Sequence, residues 1–466
     1  MNNNSELTIH ALAPLLRRKK LSPVELTRFF LERISFLQPS INAYITVTSE
    51  LAMTQARKAE KEIVRGKYRG TLHGIPIALK DLFHTRGIRT TAGSGLLKRF
   101  IPKKNAVVVD RLLESGCVIL GKTNMHEFAY GPTNVHSYFG PVRNPWDTGR
   151  MSGGSSGGSA AAVISAQALA ALGTDTGGSV RIPAAACGCV GFKPTFGRVP
   201  MDGVIPLSFT LDHAGPLSRC VMDAAYLFAV MAKASPESSF PRSIEREVGK
   251  GIKALRIGIP RQYFFDRLHP EVRRAVLEAV PVFDRLGATV TEMDLRGLEE
   301  TARIAAEITG DEAVAYHLDR MGKKAGSYTE DVMNRLQLNR NSTAAAYIAA
   351  LQALGTYRQR LDSALETVDL IMAPTLPVAA PALDQTEVTT GRSREDVRFA
   401  LLKLTRPGNL SGLPAISLPC GFTSGGLPVG LQLMGRRGDD VTVLRAAFSY
   451  ESATEWRLRF PAGGIQ

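Results

Sequence analysis

From residue 74 onward, short apolar runs with strand character alternate with segments of helical period, and this alternation limits the fold most severely. "GIPIALKDLF" (74–83) is apolar over consecutive positions, with Pro76 near its start, where a missing N–H is tolerated. "NAVVVDRLLESG" repeats its apolar residues at helical spacing, and "CVILGKTN" returns to strand character. The alternation resumes with "ALRIGIP", "PEVRRAVLEAVPVFDRLG" and "ATVTEMDL", then with "VDLIMAPTLP" and the pair "PAISLPCGF" and "GLPVGLQLMG". Strands separated by helices predict an α/β fold, a mixed central β-sheet with helices on both faces. Ahead of the first strand, "SPVELTRFFLERISFLQ" (22–38) opens with Ser then Pro, a strong helix start, and a second polar helix follows in "LAMTQARKAEKEIVRG". The polar stretch 234–250 predicts a connection, and residues 300–365 are largely helical. The expected organisation is a single unit over 1–466 with a variable helical cap or insertion over 300–350.

Composition excludes several classes. The longest apolar run, "AAAVISAQALAALG", falls short of the roughly 20 residues a membrane span requires. At the N-terminus the charges of "RRKK" follow the apolar part, the reverse of a secretory signal, so a cytoplasmic protein is expected. Five cysteines include no C-x-x-C pair, which predicts small buried thiols and no metal or redox cofactor. The net charge of +14 admits an RNA or anionic-surface partner. No nucleic-acid motif accompanies it, so a solvated basic surface without a nucleic-acid partner is expected.

Two motif matches fail on their context. "GCVILGKT" (116–123) fits the phosphate-binding pattern G-x-x-x-x-G-K-[ST], but its apolar filling is itself strand-like where a flexible cradle is needed. "GGSSG" (153–157) fits the nucleophile elbow of α/β-hydrolases, but turn residues precede it where that elbow needs a strand.

Two glycine- and serine-rich stretches and one lysine remain. "MSGGSSGGSAAAVIS" (151–165) passes from glycine and serine straight into an alanine run, which favours a rigid loop over a floppy linker. "GTDTGGSVRIPAAACG" (173–188) sets paired glycines directly before Ser179, and "GIPIALKDLF" holds Lys80 in apolar surroundings. Together with "GKTNMHEFAYG", "FGPVRNPWD" and "LDHAGPLSR", these segments closely resemble the amidase signature family, nearly continuously over a core at 70–220.

The resemblance implies a Ser–cisSer–Lys triad. Ser179 is the expected nucleophile, Ser155 the bridging serine on a cis peptide after Gly154, and Lys80 the base. A serine hydroxyl attacks well only when a neighbouring base takes its proton, and lysine serves as that base only when desolvation keeps it neutral. Backbone N–H groups of Thr176, Gly177, Gly178 and Ser179 are expected to form an oxyanion hole. Asp175 and Arg181 are expected to brace these loops or to form a plain ion pair. Met125, Tyr130 and Gly131 are candidate substrate contacts, and Asn124 a loop-orienting residue.

The leading expectation is a stand-alone amidase, monomeric or homodimeric. It would act on a small-molecule amide through a serine acyl-enzyme, with esters or carbamates as further substrates. The alternative is the glutaminase A subunit of a tRNA-dependent amidotransferase, which needs an arginine and an acid for glutamine. Asp439 offers the acid, while the region of Arg335 lacks that branch's arginine-and-glycine pattern. A third possibility, an RNA-binding or scaffold protein, predicts loss of the triad residues, and all three are present.

Overall fold

A computed structural model describes residues 7–232 and 243–461. Its centre is one mixed sheet of eleven strands. In chain order they are β1 (Tyr44–Val47), β2 (Pro76–Lys80), β3 (Val118–Thr123), β4 (Ala170–Asp175), β5 (Val190–Lys193), β6 (His213–Ser218), β7 (Arg256–Pro260), β8 (Thr289–Met293), β9 (Leu370–Pro374), β10 (Ala415–Phe422) and β11 (Pro428–Gly435). Across the sheet they lie in the order β1-β3-β2-β4-β6-β5-β10-β11-β9-β7-β8.

The parallel trio β3-β2-β4 positions the candidate site. In register, Ile77 on β2 faces Ile119 on one side and Ala170 on the other, and every residue of the three strands is buried. Strands covered on both faces read as continuous apolar runs, which is how "IPIALK" announces itself. Because the strands run the same way, Lys80 at the end of β2 and Thr174 and Asp175 at the end of β4 emerge at one edge. In open α/β sheets that edge is where ligands bind.

The helix at Pro23–Ile41 starts where Ser22 caps it, its hydroxyl accepting from the Val24 and Glu25 N–H groups. The helical stretch expected from "PEVRRAVLEAVPVFDRLG" divides into Pro270–Leu277 and Val280–Arg285. Pro281 explains the break, since it lacks an N–H and its ring crowds the preceding turn. Residues 300–365 form three helices, Thr301–Lys324, Glu330–Leu338 and Ala344–Thr367. Most of the polar connection, residues 233–242, lies outside the described residues; its end forms a short helix, Ile244–Val248. Among the described residues no helix is long and apolar enough to cross a membrane.

"GCVILGKT" resolves as expected, its apolar filling being strand β3. The segment before "GGSSG" differs from expectation: it forms a hairpin of Arg143–Asn144 with Asp147–Met151, separate from the central sheet. A small hairpin at the periphery is no substitute for the central strand that feeds a nucleophile elbow.

Candidate active site

The glycine- and serine-rich stretch is a buried, tightly held loop. Residues 151–160 are buried throughout, and the Gly154–Ser155 peptide is cis. The helix Gly157–Ile164 begins with glycines because backbone crosses it closely. A Cβ at Gly158 would lie 2.3 Å from the Asn124 carbonyl oxygen and 2.5 Å from that of Ala43. Gly154 is equally confined, with the Asn134 nitrogen 2.8 Å from where its Cβ would be.

Lys80 meets this loop from below. Its Nζ donates to Ser155 Oγ at 2.7 Å and to Thr174 Oγ1 at 2.8 Å, all three side chains being buried. Burial pulls the amine down to about 7, against the opposing pull of Asp212 and Asp175. Two other lysines are fully buried but differently engaged. Lys122 lies 3.6 Å from Asp81, and Lys193 donates to the carbonyls of Pro194 and Leu413. Among these three, Lys80 alone faces a serine hydroxyl.

Ser179 sits on the loop between β4 and the helix Arg181–Cys187. Its carbonyl accepts from the Ser156 N–H at 3.2 Å, which joins the two serine-bearing loops. Ser179 lines a small cavity together with Tyr130, Gly131, Thr176, Gly177 and Leu207.

Asp175 organises the Ser179 loop. Its carboxylate accepts from the N–H groups of Gly178 (2.9 Å), Val180 (3.1 Å) and Arg181 (3.3 Å). It also pairs with the Arg181 guanidinium at 3.0 Å, both groups being fully buried. Although burial opposes ionisation, the charge and hydrogen bonds of Arg181 hold this carboxyl well below the usual carboxylate range. Arg181 is completed by Gln432 Oε1 at 2.5 Å and Asn409 Oδ1 at 2.7 Å. Asp175→Ala would leave that guanidinium buried without a counter-charge. A loss of about 3–5 kcal/mol is expected, read by denaturant unfolding, and a loss below about 1 kcal/mol would refute the bracing role.

The expected oxyanion donors separate accordingly. The Gly178 N–H is engaged by Asp175, whereas Thr176, Gly177 and Ser179 line the cavity. The Thr176 hydroxyl donates to Asp212 at 2.6 Å. Burial pushes the Asp212 carboxyl up to about 6. Of the three candidate substrate contacts, Tyr130 and Gly131 line the cavity and Met125 does not. It is fully buried and packs against the loop at Gly93. Asn124 ties loops together, accepting from the Met125 N–H and Ser137 Oγ and donating to the carbonyls of Asn42 and Gly140. Asp439 caps the helix Asp440–Ser452 by accepting from the Thr442 N–H, and takes no part in the cavity.

Sequence reasoning missed Arg398, Leu402 and Arg406, which line the cavity from residues far along the chain, and Ala305 and Thr309, which reach it from Thr301–Lys324. Nothing in their local sequence marks them. Thr174 and Asp212 lay within quoted motifs, "GTDTGGS" and "LDHAGPLSR", but were given no part.

The sheet edge brings the buried Lys80–Ser155 pair and the adjoining loop that carries Ser179 into one region. The chain belongs to the amidase family, whose model matches residues 25–444, and it is an amidohydrolase. The A subunit of glutamyl-tRNA(Gln) amidotransferase from Geobacter sp. (strain M21) is 40% identical over 97% of this chain and 98% of its own length. A crystal structure of an amidase superposes with a TM-score of 0.89 at 37% identity, over 96% of this chain and 99% of that one. The crystal structure of the same kind of A subunit from Thermotoga maritima gives 0.80 at 32% identity, over 99% and 98%.

These relatives correct the leading expectation of a stand-alone amidase acting on a small-molecule amide without nucleic acid or protein partner. Near-full-length similarity at 40% identity to an amidotransferase A subunit favours the alternative. The expectation had leaned on an arginine that the sequence pattern around Arg335 did not supply. In the structure three arginines gather around Tyr130. Arg335 donates to the Tyr130 carbonyl, and the guanidinium carbons of Arg335 and Arg398 lie 5.6 and 5.8 Å from its ring centre. Arg406 lines the same cavity.

Proposed function

We propose that this chain is the amide-hydrolysing A subunit of a tRNA-dependent amidotransferase, with Ser179, Ser155 and Lys80 as its triad. The observation that carries the chemistry is the 2.7 Å contact between a desolvated amine and Ser155 Oγ. A neutral amine has two N–H groups and one lone pair, so Lys80 can keep Thr174 as an acceptor while taking a proton from Ser155. Ser155 in turn takes the proton of Ser179, whose oxygen attacks the amide carbonyl. Negative charge developing on the carbonyl oxygen is met by N–H groups of the Thr176–Ser179 loop, with Gly178 serving instead to anchor the loop to Asp175. Running backwards, the relay protonates the departing ammonia, and water then resolves the acyl-enzyme.

The amidotransferase assignment rests on the relatives and fits two features of the chain. A net charge of +14 suits an assembly that handles a polyanion. Five free, buried cysteines suit the reducing cytoplasm. The test is ammonia release from glutamine and amide transfer to glutamyl-tRNA, with the chain alone and with the other amidotransferase subunits. Transfer that requires this chain and its partners is expected. Equal ammonia release with and without partners, and no transfer, would overturn the assignment.

A further inference from the structure

One buried acid on the helices after residue 300 stands outside the cavity. Glu312 lies on the helix Thr301–Lys324, is 5% exposed and does not line the cavity. Its carboxylate accepts from the hydroxyls of Ser208 and Thr210, from the Thr210 N–H at 3.1 Å and from the Tyr347 hydroxyl at 2.7 Å. All four donors are uncharged. A carboxylate taken out of water without a cation is costly, and hydrogen bonds from fixed donors offset that cost. The acid thereby joins its own helix, the helix Ala344–Thr367 that carries Tyr347, and the loop 207–212 at a single point.

That loop leads to the reacting centre. Leu207, at its start, lines the cavity. Asp212, at its end, accepts from the Leu207 N–H at 2.9 Å and from the Thr176 hydroxyl at 2.6 Å. The Asp212 N–H donates to the Ser208 carbonyl at 3.0 Å. The loop is therefore closed on itself and held between two carboxylates, Glu312 gripping its middle and Asp212 gripping Thr176. Burial pushes the Asp212 carboxyl up to about 6, and the Glu312 charge adds in the same direction, so the two acids lie within electrostatic reach.

We infer that Glu312 is a positioning residue: through Ser208, Thr210 and Asp212 it fixes Thr176, so that the helices after residue 300 set the alignment of the Ser179 loop. The inference rests on the amide-hydrolysing reading of the cavity and deepens it by giving those helices a part in the chemistry. N–H groups stabilise an oxyanion only when they are held where the charge develops, so a loop that drifts loses kcat more than substrate affinity.

The experiment compares Glu312→Ala and Glu312→Gln with the wild type by two rates. One is ammonia release from glutamine with the other amidotransferase subunits present. The other is labelling of Ser179 by a fluorophosphonate, whose phosphoryl oxygen needs the same N–H groups. Each kcat is counted per serine labelled at completion, so unfolded chains do not contribute. Glu312→Ala removes all four contacts and should lower kcat and the labelling rate about tenfold or more, with KM within about threefold. Glu312→Gln should recover most of the loss. Its amide oxygen can face Ser208 and the Thr210 N–H, and its NH2 group can donate to the hydroxyls of Thr210 and Tyr347. Thr176→Val removes the hydroxyl that Asp212 holds, and on that background Glu312→Ala should have almost no further effect, whereas a general loosening would give additive losses. Rates for Glu312→Ala within about twofold of the wild type, a glutamine variant as slow as the alanine one, or a full further loss on the Thr176→Val background would each overturn the inference and leave the Ser179 chemistry standing. A wild type that is not labelled at Ser179 would overturn the reading of the cavity itself, and the inference with it.

Discussion

Replacing Ser179 with alanine is expected to lower kcat for amide hydrolysis on the order of 10⁴-fold, and to abolish labelling by a fluorophosphonate. The magnitude follows from how triads work. Their members act as one unit, so removing the nucleophile forfeits nearly all covalent catalysis and leaves only binding and oxyanion stabilisation. Of the two serines, Ser179 lines the cavity, whereas Ser155 does not and contacts Lys80. Substrate affinity should change far less than kcat, because the hydroxyl is a small part of the lining. Turnover within tenfold of the wild type, or a label mapped to another residue, would refute the assignment.

The second large effect belongs to Lys80. Lys80→Met should cost on the order of 10³-fold or more in kcat/KM by removing the base placed against Ser155. The wild-type pH profile carries the same claim. With the amine pulled down to about 7 by burial, the competent form is the neutral one, and acid converts it to a cation that cannot accept a proton. Activity should therefore fall about tenfold per pH unit below about 7 and level off above it. Lys80→Arg keeps the charge at every accessible pH and should be inactive throughout. A wild-type profile flat from pH 5.5 to 8 would remove lysine from the base position.

Much of this was legible in the sequence because it is local. The strand at Pro76–Lys80 announces itself as an unbroken apolar run, and the glycine-rich loops carrying Ser155 and Ser179 stand out through their resemblance to the amidase signature family. What was missed is non-local. Arg398 and Arg406 sit in ordinary-looking sequence, and only packing of the segment from residue 397 against the Ser179 loop brings them to the cavity. Met125 failed in the opposite direction. It stands amid motif residues, yet its side chain turns into the core at Gly93 while Tyr130, five residues on, reaches the cavity. Asp439 failed because an acid at a helix start satisfies backbone N–H groups first. The preference for a stand-alone enzyme shared the first cause, since a missing arginine pattern near 335 says nothing about arginines delivered from elsewhere.

The bracing of Arg181 reaches across most of the polypeptide, to Asn409 and Gln432. A growing chain on the ribosome holds the complete serine-and-lysine set once residue 179 has emerged, but the guanidinium beneath it has only Asp175 to lean on. Until some 250 further residues follow, the loop lacks its final supports. A nascent or prematurely terminated chain would then carry Lys80, Ser155 and Ser179 and still lack an ordered site, because the late-made helix and strand are what bring that loop to order.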